Sequence, residues 1–243
     1  MLDIHCHICF GSDDGAENLE TAVEMVGIAY EHSVDGIVAT PHSNVPGSYY
    51  NYWDETLHEK IRQLRAELRE REIPVEIYTG QEIFCTDQTV SLLGGGQLIT
   101  LNHSRYPLVE FDFYEYSDSV YSKLRALTAE GYVPIVAHPE RYAFVAEEDA
   151  AVYRLKEIGC LLQVNKGSLE GRFGRDAFFV SQRMMEHRLA DVVASDAHSP
   201  YMRTPDMLNA HELICEEYSY RYADFLLEEN PRRIIENRDA VVY

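Results

Sequence analysis

The sequence predicts an α/β fold in which seven strand–helix units close into an irregular, TIM-like (β/α)7 parallel barrel. Two observations carry this expectation. Short apolar runs alternate with amphipathic stretches along all 243 residues, without repeats, low-complexity tracts or a Pro/Ser-rich linker. Side chains able to ligate a metal stand at or just beyond the ends of those runs, which on parallel strands gathers them at one edge of the sheet.

Taken in order, residues 1–5 form the first strand. Residues 18–32 follow as a helix with Leu19, Val23, Met25, Val26 and Ala29 on its apolar face. The run 36–40 (Gly-Ile-Val-Ala-Thr) is a fully buried strand. Residues 53–71 make a charged helix, closed by Pro74 ahead of a strand at 75–79. After the break at Leu93-Gly-Gly-Gly-Gln97 come a strand at 106–110 and its helix at 119–130. Strands at 133–137, 161–165 and 191–195, with helices at about 149–158 and 176–188 between them, complete the seven units. Right-handed crossovers close such a chain, one unit short of the eight-stranded barrel.

One domain over residues 1–243 suits a chain of this length with 46% hydrophobic residues. No run of about 18 apolar residues is present, so a membrane-spanning helix is not expected. The first strand starts at Met1, which leaves no room for a signal or transit segment. Cys6, Cys9, Cys85, Cys160 and Cys215 are few, odd in number and scattered, as suits a reducing compartment and a cytoplasmic location. The formal charge of −20 repels polyanions and argues against duplex DNA or RNA as a partner. The sequence leaves the oligomeric state open.

Nine side chains with metal-ligand chemistry occur in the order His5, His7, Asp14, His42, Glu82, Glu110, His138, Asp196 and His198. His5 and His7, two apart on a strand, share a face while Cys6 points away. Asp196 and His198 repeat that spacing after the last strand, sharing a face or forking between neighbouring ions. Alone, His-x-His is weak, and a structural pair explains it as well. Two such pairs at opposite ends of the chain are harder to dismiss. Glu82, Glu110 and His138 each follow an apolar strand, where a lone buried carboxylate costs several kcal/mol unless paired or metal-bound. A salt bridge to a neighbouring helix explains any one of them; recurrence at the same end of successive strands favours a metal cluster.

The series His5-x-His7, Asp14, Pro41-His42, Gly80-x-Glu82, Glu110, His138-Pro-Glu-Arg141 and Ser195-Asp-x-His198 resembles the polymerase and histidinol phosphatase (PHP) superfamily. Within it, the chain is most similar to the bacterial capsule-type, manganese-dependent protein-tyrosine phosphatases of the CpsB/CapC family. The likeness runs from Asp3 to the Asn-Pro-Arg-Arg segment at 230–233. It implies a PHP-type barrel with three divalent metal ions. One would sit on His5, His7, Glu82 and Asp196, a second on Glu82, Glu110 and His138, and a third on Asp14, His42 and His198. Related PHP phosphatases often have a histidine where this chain has Glu110. Manganese is the metal implied, and iron or zinc also suits mixed imidazole and carboxylate ligands.

Three divalent ions would outweigh Asp14, Glu82, Glu110 and Asp196 by about +2 with neutral histidines, enough to draw a phosphate dianion past a negative exterior. Water activated between such ions would supply the nucleophile for an in-line displacement. Asp196 and His198 are candidate catalytic groups for proton transfer, and the sequence does not choose between them. Arg141, three residues after His138, and Arg203, on the loop after His198, are candidates for gripping phosphate oxygens with a planar fork. The plain alternative is two surface arginines. Relatives tend to carry basic residues after the histidine matching His42, whereas residues 43–53 here hold Tyr49, Tyr50, Tyr52 and Trp53 and no Lys or Arg. These tyrosines are candidates for packing on a phosphotyrosine ring, against the plainer reading of a hydrophobic lid.

Other signals point away from chemistry. Cys215 and Arg221 satisfy the spacing of cysteine-dependent phosphatases, but two acids and no glycine between them leave no phosphate cradle, and the segment reads as helix. Cys6 and Cys9 lack a second pair for zinc, although Cys9 is a further candidate ligand or oxidisable thiol. His32, His58, His103, His187 and His211 read as structural or solvated, and the acidic pairs at 216–217 and 228–229 as solvated faces. The expected function is hydrolysis of phosphotyrosine on a protein, by resemblance the tail of a bacterial tyrosine autokinase controlling capsule or exopolysaccharide synthesis. The alternatives are a small-metabolite phosphatase such as histidinol-phosphatase and a non-catalytic metal-binding regulator of the kinase. An exonuclease is disfavoured by the charge.

Overall fold

The computed structural model describes residues 1–241 and 243. Its strands are β1 (Leu2–Cys6), β2 (Gly36–Ala39), β3 (His42–Ser43), β4 (Glu76–Thr79), β5 (Glu82–Phe84), β6 (Leu108–Glu110), β7 (Ile135–Ala137), β8 (Leu161–Asn165) and β9 (Val192–Ala194). All ladders among the described residues are parallel, in the orders β1-β2-β4 and β3-β5-β6-β7-β8-β9.

The seven expected strands become nine because two of them break and resume. β2 passes into β3 across Thr40 and Pro41, and Pro41 has no N–H to offer a ladder. β4 passes into β5 across Gly80 and Gln81. A Cβ on Gly80 would lie 2.8 Å from Val38 Cγ1 and 2.9 Å from Leu101 Cδ2, so this bend needs glycine. At the other side, the last strand meets the first. Asp196 N donates to His5 O and His7 N to Ala197 O, both at 2.9 Å. The Asp3 carboxylate adds a buried clamp, accepting from Ser195 N at 3.0 Å and Ser195 Oγ at 2.5 Å.

The expected helices are present with shifted ends. Leu19–Glu31 starts behind Asn18, whose side chain accepts from Thr21 N, and Glu55–Glu70 behind Asp54, which accepts from Thr56 N and Leu57 N. Ser117–Ala129, Ala150–Ile158 and Arg175–Glu186 follow β6, β7 and β8. Beyond β9, helical turns run over Leu208–Glu217, Tyr220–Asp224 and on to Ile235. The Cys215 segment is therefore not one helix: it breaks at Tyr218 and Ser219. Among the described residues no helix is long and apolar enough to cross a membrane.

Strand alternation divides the core. On β8, Leu162 and Val164 face the large cluster between strands and helices, while Leu161, Gln163 and Asn165 share the other face. Leu161 belongs to a smaller cluster with Leu108, Ile135, Val192, Ile234 and Ile235. That cluster lies on the same strand face as Gln163 and Asn165, and the polar groups gather toward the strands' carboxyl ends.

Candidate active site

His5 and His7 bring their Nε2 atoms within 3.2 Å of each other, as the two-residue spacing predicts, and both rings are fully buried. Cys6, between them, packs into the apolar core. Each ring is fixed through its other nitrogen. His5 Nδ1 lies 2.8 Å from Gln163 Oε1, and His7 Nδ1 lies 2.7 Å from Asp13 Oδ2. An oxygen partner at Nδ1 places the proton there and leaves both Nε2 lone pairs facing the same space. Glu82 Oε2 is 3.3 Å from each Nε2, and Asp196 Oδ1 is 3.5 Å from each. Lone pairs and carboxylates crowded at this range repel unless a cation lies among them.

Glu82, the first residue of β5, stands at the centre. Its Oε1 is 2.9 Å from His138 Nε2, and its Oε2 is 2.9 Å from His42 Nδ1 without making an aligned hydrogen bond. His42 Nδ1 is also 2.9 Å from Glu110 Oε1. On the outer side, Asp14 Oδ1 lies 3.6 Å from His42 Nε2 and 3.5 Å from His198 Nε2. Buried His198 Nε2 and His138 Nδ1 have no hydrogen-bond partner.

Three sets of ligand atoms, each within 4.8 Å of one another, result: His5, His7 and Asp196; His42, Glu82 and Glu110; and His7, Asp14, His42 and His198. This resembles the expected partition with four differences. His42 joins the second set as well as the third, His7 joins the first and third, Glu82 belongs to the second set alone, and His138 stands outside all three, reaching the cluster through Glu82 Oε1. Asp196 and His198 fork between sets, one of the two arrangements their spacing allows. The donor set of imidazole and carboxylate, its burial and its orphaned atoms fit divalent ions.

Electrostatics point the same way. Burial disfavours the Glu82 carboxylate, but the charges of His5 and His42 and hydrogen bonding from His138 outweigh it and hold the group well below its ordinary range. Burial likewise opposes ionisation of Asp196, and His5, His7 and Arg203 hold its pKa well down. Burial pulls the His42 imidazolium down, yet Glu82 and Glu110 push it up to about 10. His198 is drawn down to about 4 by burial and by the charge of His7, against the pull of the nearby Asp14 carboxylate. A buried cluster that keeps the Glu82 and Asp196 carboxylates ionised favours positive charge beside them.

Local backbone explains the convergence. His138 and Asp196 adopt left-handed φ of +36° and +51° just past β7 and β9, turning their side chains inward at the strand ends. Gly15 lets the Asp13-Asp14 loop fold back, since a Cβ there would lie 2.2 Å from His7 O. Asp13 Oδ2 also accepts from His42 N at 2.8 Å, tying that loop to β3.

Both candidate arginines reach the site. Arg203 Nη2 is 2.5 Å and Arg141 Nη1 3.6 Å from Asp196 Oδ2. Of the aromatic loop, Tyr49 alone stacks on a candidate ligand, its ring at 10° to His42 with centroids 5.9 Å apart. Tyr50 lies outward against Tyr52, half exposed, while Tyr52 and Trp53 pack on the core. Tyr49, His42, Glu110 and Phe113 help line a cavity of about 240 Å³. Cys9 is buried at the Ser12 hydroxyl, away from the three ligand sets, and burial pushes its thiol up to about 11. Cys215 is also held protonated, by partial burial and by Glu212 and Glu216. Of the other histidines, His32 Nδ1 meets Ile28 O at 2.8 Å, and His58 and His103 flank Trp53.

Several working residues went unread in the sequence. Gln163 and Asn165 carried a signal, since two polar residues alternating with Leu162 and Val164 mark an inward polar face. Gln163 Nε2 donates to Asn165 Oδ1 at 2.8 Å, and Asn165 Nδ2 to Asp196 Oδ2 at 2.6 Å. Asp3 shared the alternation of His5 and His7. Nothing local distinguished Asp13 from Asp14, or marked Phe113 and Phe173 beside Arg141.

Comparison with known proteins identifies the chain's relatives. A family described as capsular polysaccharide synthesis, CpsB/CapC, matches residues 1–236. The tyrosine-protein phosphatase YwqE of Bacillus subtilis is 33% identical over 98% of this chain and 92% of its own length. The tyrosine-protein phosphatase CpsB of Streptococcus pneumoniae is 32% identical over 97% and 98%. A solved structure among those described as YwqE from Bacillus subtilis and CpsB from Streptococcus pneumoniae, unique metal-dependent tyrosine phosphatases, superposes with a TM-score of 0.93 over all of this chain and 97% of the other, at 32% identity. A histidinol phosphate phosphatase from Lactococcus lactis shares the fold, with a TM-score of 0.52 at 15% identity over 93% and 94% of the two chains. With parallel α/β architecture and a family match over residues 1–236, this chain belongs to the CpsB/CapC family.

Proposed function

We propose that this chain is a metal-dependent tyrosine-protein phosphatase that binds divalent ions, manganese foremost, among His5, His7, Asp14, His42, Glu82, Glu110, His138, Asp196 and His198. The observation that carries this reading is the convergence of five imidazoles and four carboxylates around Glu82, with two guanidinium groups on the outer oxygen of Asp196. Bound ions would supply an activated water and would stabilise phosphate oxygens during in-line displacement.

The chain's own groups do the rest. Arg141 and Arg203 grip the phosphate oxygens left free, and in doing so leave the Asp196 carboxylate. Asp196 and His198 are placed to move protons at the reacting oxygens. Tyr49 faces the cavity beside His42 and Glu110 and offers a ring on which phosphotyrosine stacks. Tyr50, turned outward, contributes at the rim. The substrate is a tyrosine-phosphorylated protein; the tail of a bacterial autokinase governing capsule or exopolysaccharide synthesis, met in the cytoplasm, fits the family.

The test pairs metal analysis with hydrolysis of a phosphotyrosine peptide and of histidinol phosphate, on wild type and His138→Ala. Wild type should bind divalent metal and turn over the peptide in preference, and His138→Ala should lose at least about a hundredfold in kcat/KM, the order reported for lost metal support. Full activity after chelation would sink the mechanism, and preference for histidinol phosphate would sink the substrate.

A further inference from the structure

Arg141 and Arg203 converge on one carboxylate oxygen, although two like charges held side by side repel. One aromatic ring is common to both. The Arg141 guanidinium carbon lies 4.6 Å from the centroid of Phe173, and that of Arg203 lies 5.6 Å from the same centroid. Phe113 closes on Arg141 from a second direction at 4.5 Å. These are cation–π distances, and the partly buried setting strengthens the attraction.

The ring is itself held in place. A Cβ on Gly167 would lie 2.7 Å from Phe173 Cε2, so the phenyl group rests directly on bare backbone at the end of β8. Gly171 and Gly174, with φ of +74° and +92°, allow the tight loop that delivers Phe173 to this spot. Arg203 is fixed from the other side, because its carbonyl accepts from His198 N at 2.8 Å.

We propose that Phe173 is a positioning residue for phosphate recognition: its ring holds Arg141 and Arg203 together beside Asp196, pre-aligned for an incoming phosphate. This rests on the reading of the two arginines as the phosphate grip. Phe173 carries no atom able to ligate a metal or transfer a proton. Its loss should therefore weaken phosphate binding and leave the metals in place. An aliphatic side chain of similar volume keeps the packing and removes the π-face, which separates the electrostatic role from a structural one.

The experiment uses the full-length, metal-loaded protein and compares wild type with Phe173→Leu, Phe173→Tyr, Arg141→Ala and Arg203→Ala. KM and kcat for a phosphotyrosine peptide, competitive inhibition by inorganic phosphate, metal content and thermal midpoint are measured for each. Phe173→Leu should raise KM and the phosphate inhibition constant about tenfold, within the range of two cation–π contacts. Metal content and midpoint should stay at wild-type values, and Phe173→Tyr should restore phosphate inhibition. Should Phe173→Leu fail to fold, Phe173→Met provides the same comparison. Unchanged inhibition in the aliphatic variant overturns the proposal, as does equal loss in Phe173→Tyr or loss of metal. Unchanged inhibition in both arginine variants would instead overturn the reading of the grip, a separable result because those variants leave the ring in place.

Discussion

Residues that are not ligands decide how the ligand-type residues present themselves. Asp13 holds His7 through Nδ1 and holds the backbone of His42, so one carboxylate orients two members of the cluster. On β8, the chain from His5 through Gln163 and Asn165 to Asp196 fixes an imidazole and a carboxylate by three buried hydrogen bonds of 2.8, 2.8 and 2.6 Å. The relay leaves His5 Nε2 and Asp196 Oδ1, its two ends, facing each other at 3.5 Å. Asp13→Ala and Gln163→Leu should each weaken divalent-metal affinity by about 10- to 100-fold, the usual cost of losing such support. Competition with a chromogenic chelator measures this without reference to activity. Wild-type affinity in both variants would show the rings to be held by packing alone.

At the level of elements, the strand ends do more than their apolar runs suggest. β2 and β4 each stop and resume, which moves His42 and Glu82 onto the short strands β3 and β5, where they pair directly in register. Gly80 makes the second bend possible by letting Val38 and Leu101 close over it. Gly80→Ala should cost about 1–3 kcal/mol from overpacking, seen as a lower urea midpoint with an unchanged slope. A stability equal to wild type would mean that the bend tolerates a methyl group. The sequence showed the runs and their ligand-type ends here, because the side chains that must avoid water are local. It did not show the breaks, because those depend on what lies across the sheet.

For the whole molecule, the cluster joins the two ends of the chain. His5 and His7 come from β1, Asp196 and His198 follow β9, and the remaining ligand-type groups belong to segments between them. Bound ions would thus bridge the junction that Asp3 and Ser195 already clamp. Metal at a hundred times its dissociation constant should stabilise the fold by about 2.7 kcal/mol per independent site. Calorimetric scans of the loaded and chelated protein test this, and identical midpoints would exclude coupling between metal and fold. The net charge of −20 makes the same point. On the proposed mechanism an anion would be admitted by local cations and two arginines, not by the surface field.

The sequence by itself determined the α/β class, the seven-unit order, the ligand-type positions and the family resemblance. These rest on period, spacing and residue chemistry, all of which are local. Only the tertiary structure decided that His7 and His42 each face two ligand sets and that Tyr49, not Tyr50, faces His42. It also placed Phe173 beside both arginines and Gln163 behind His5. Those pairings join residues far apart in the chain, and a contact between distant strands is set by the curvature and register of every strand between its partners.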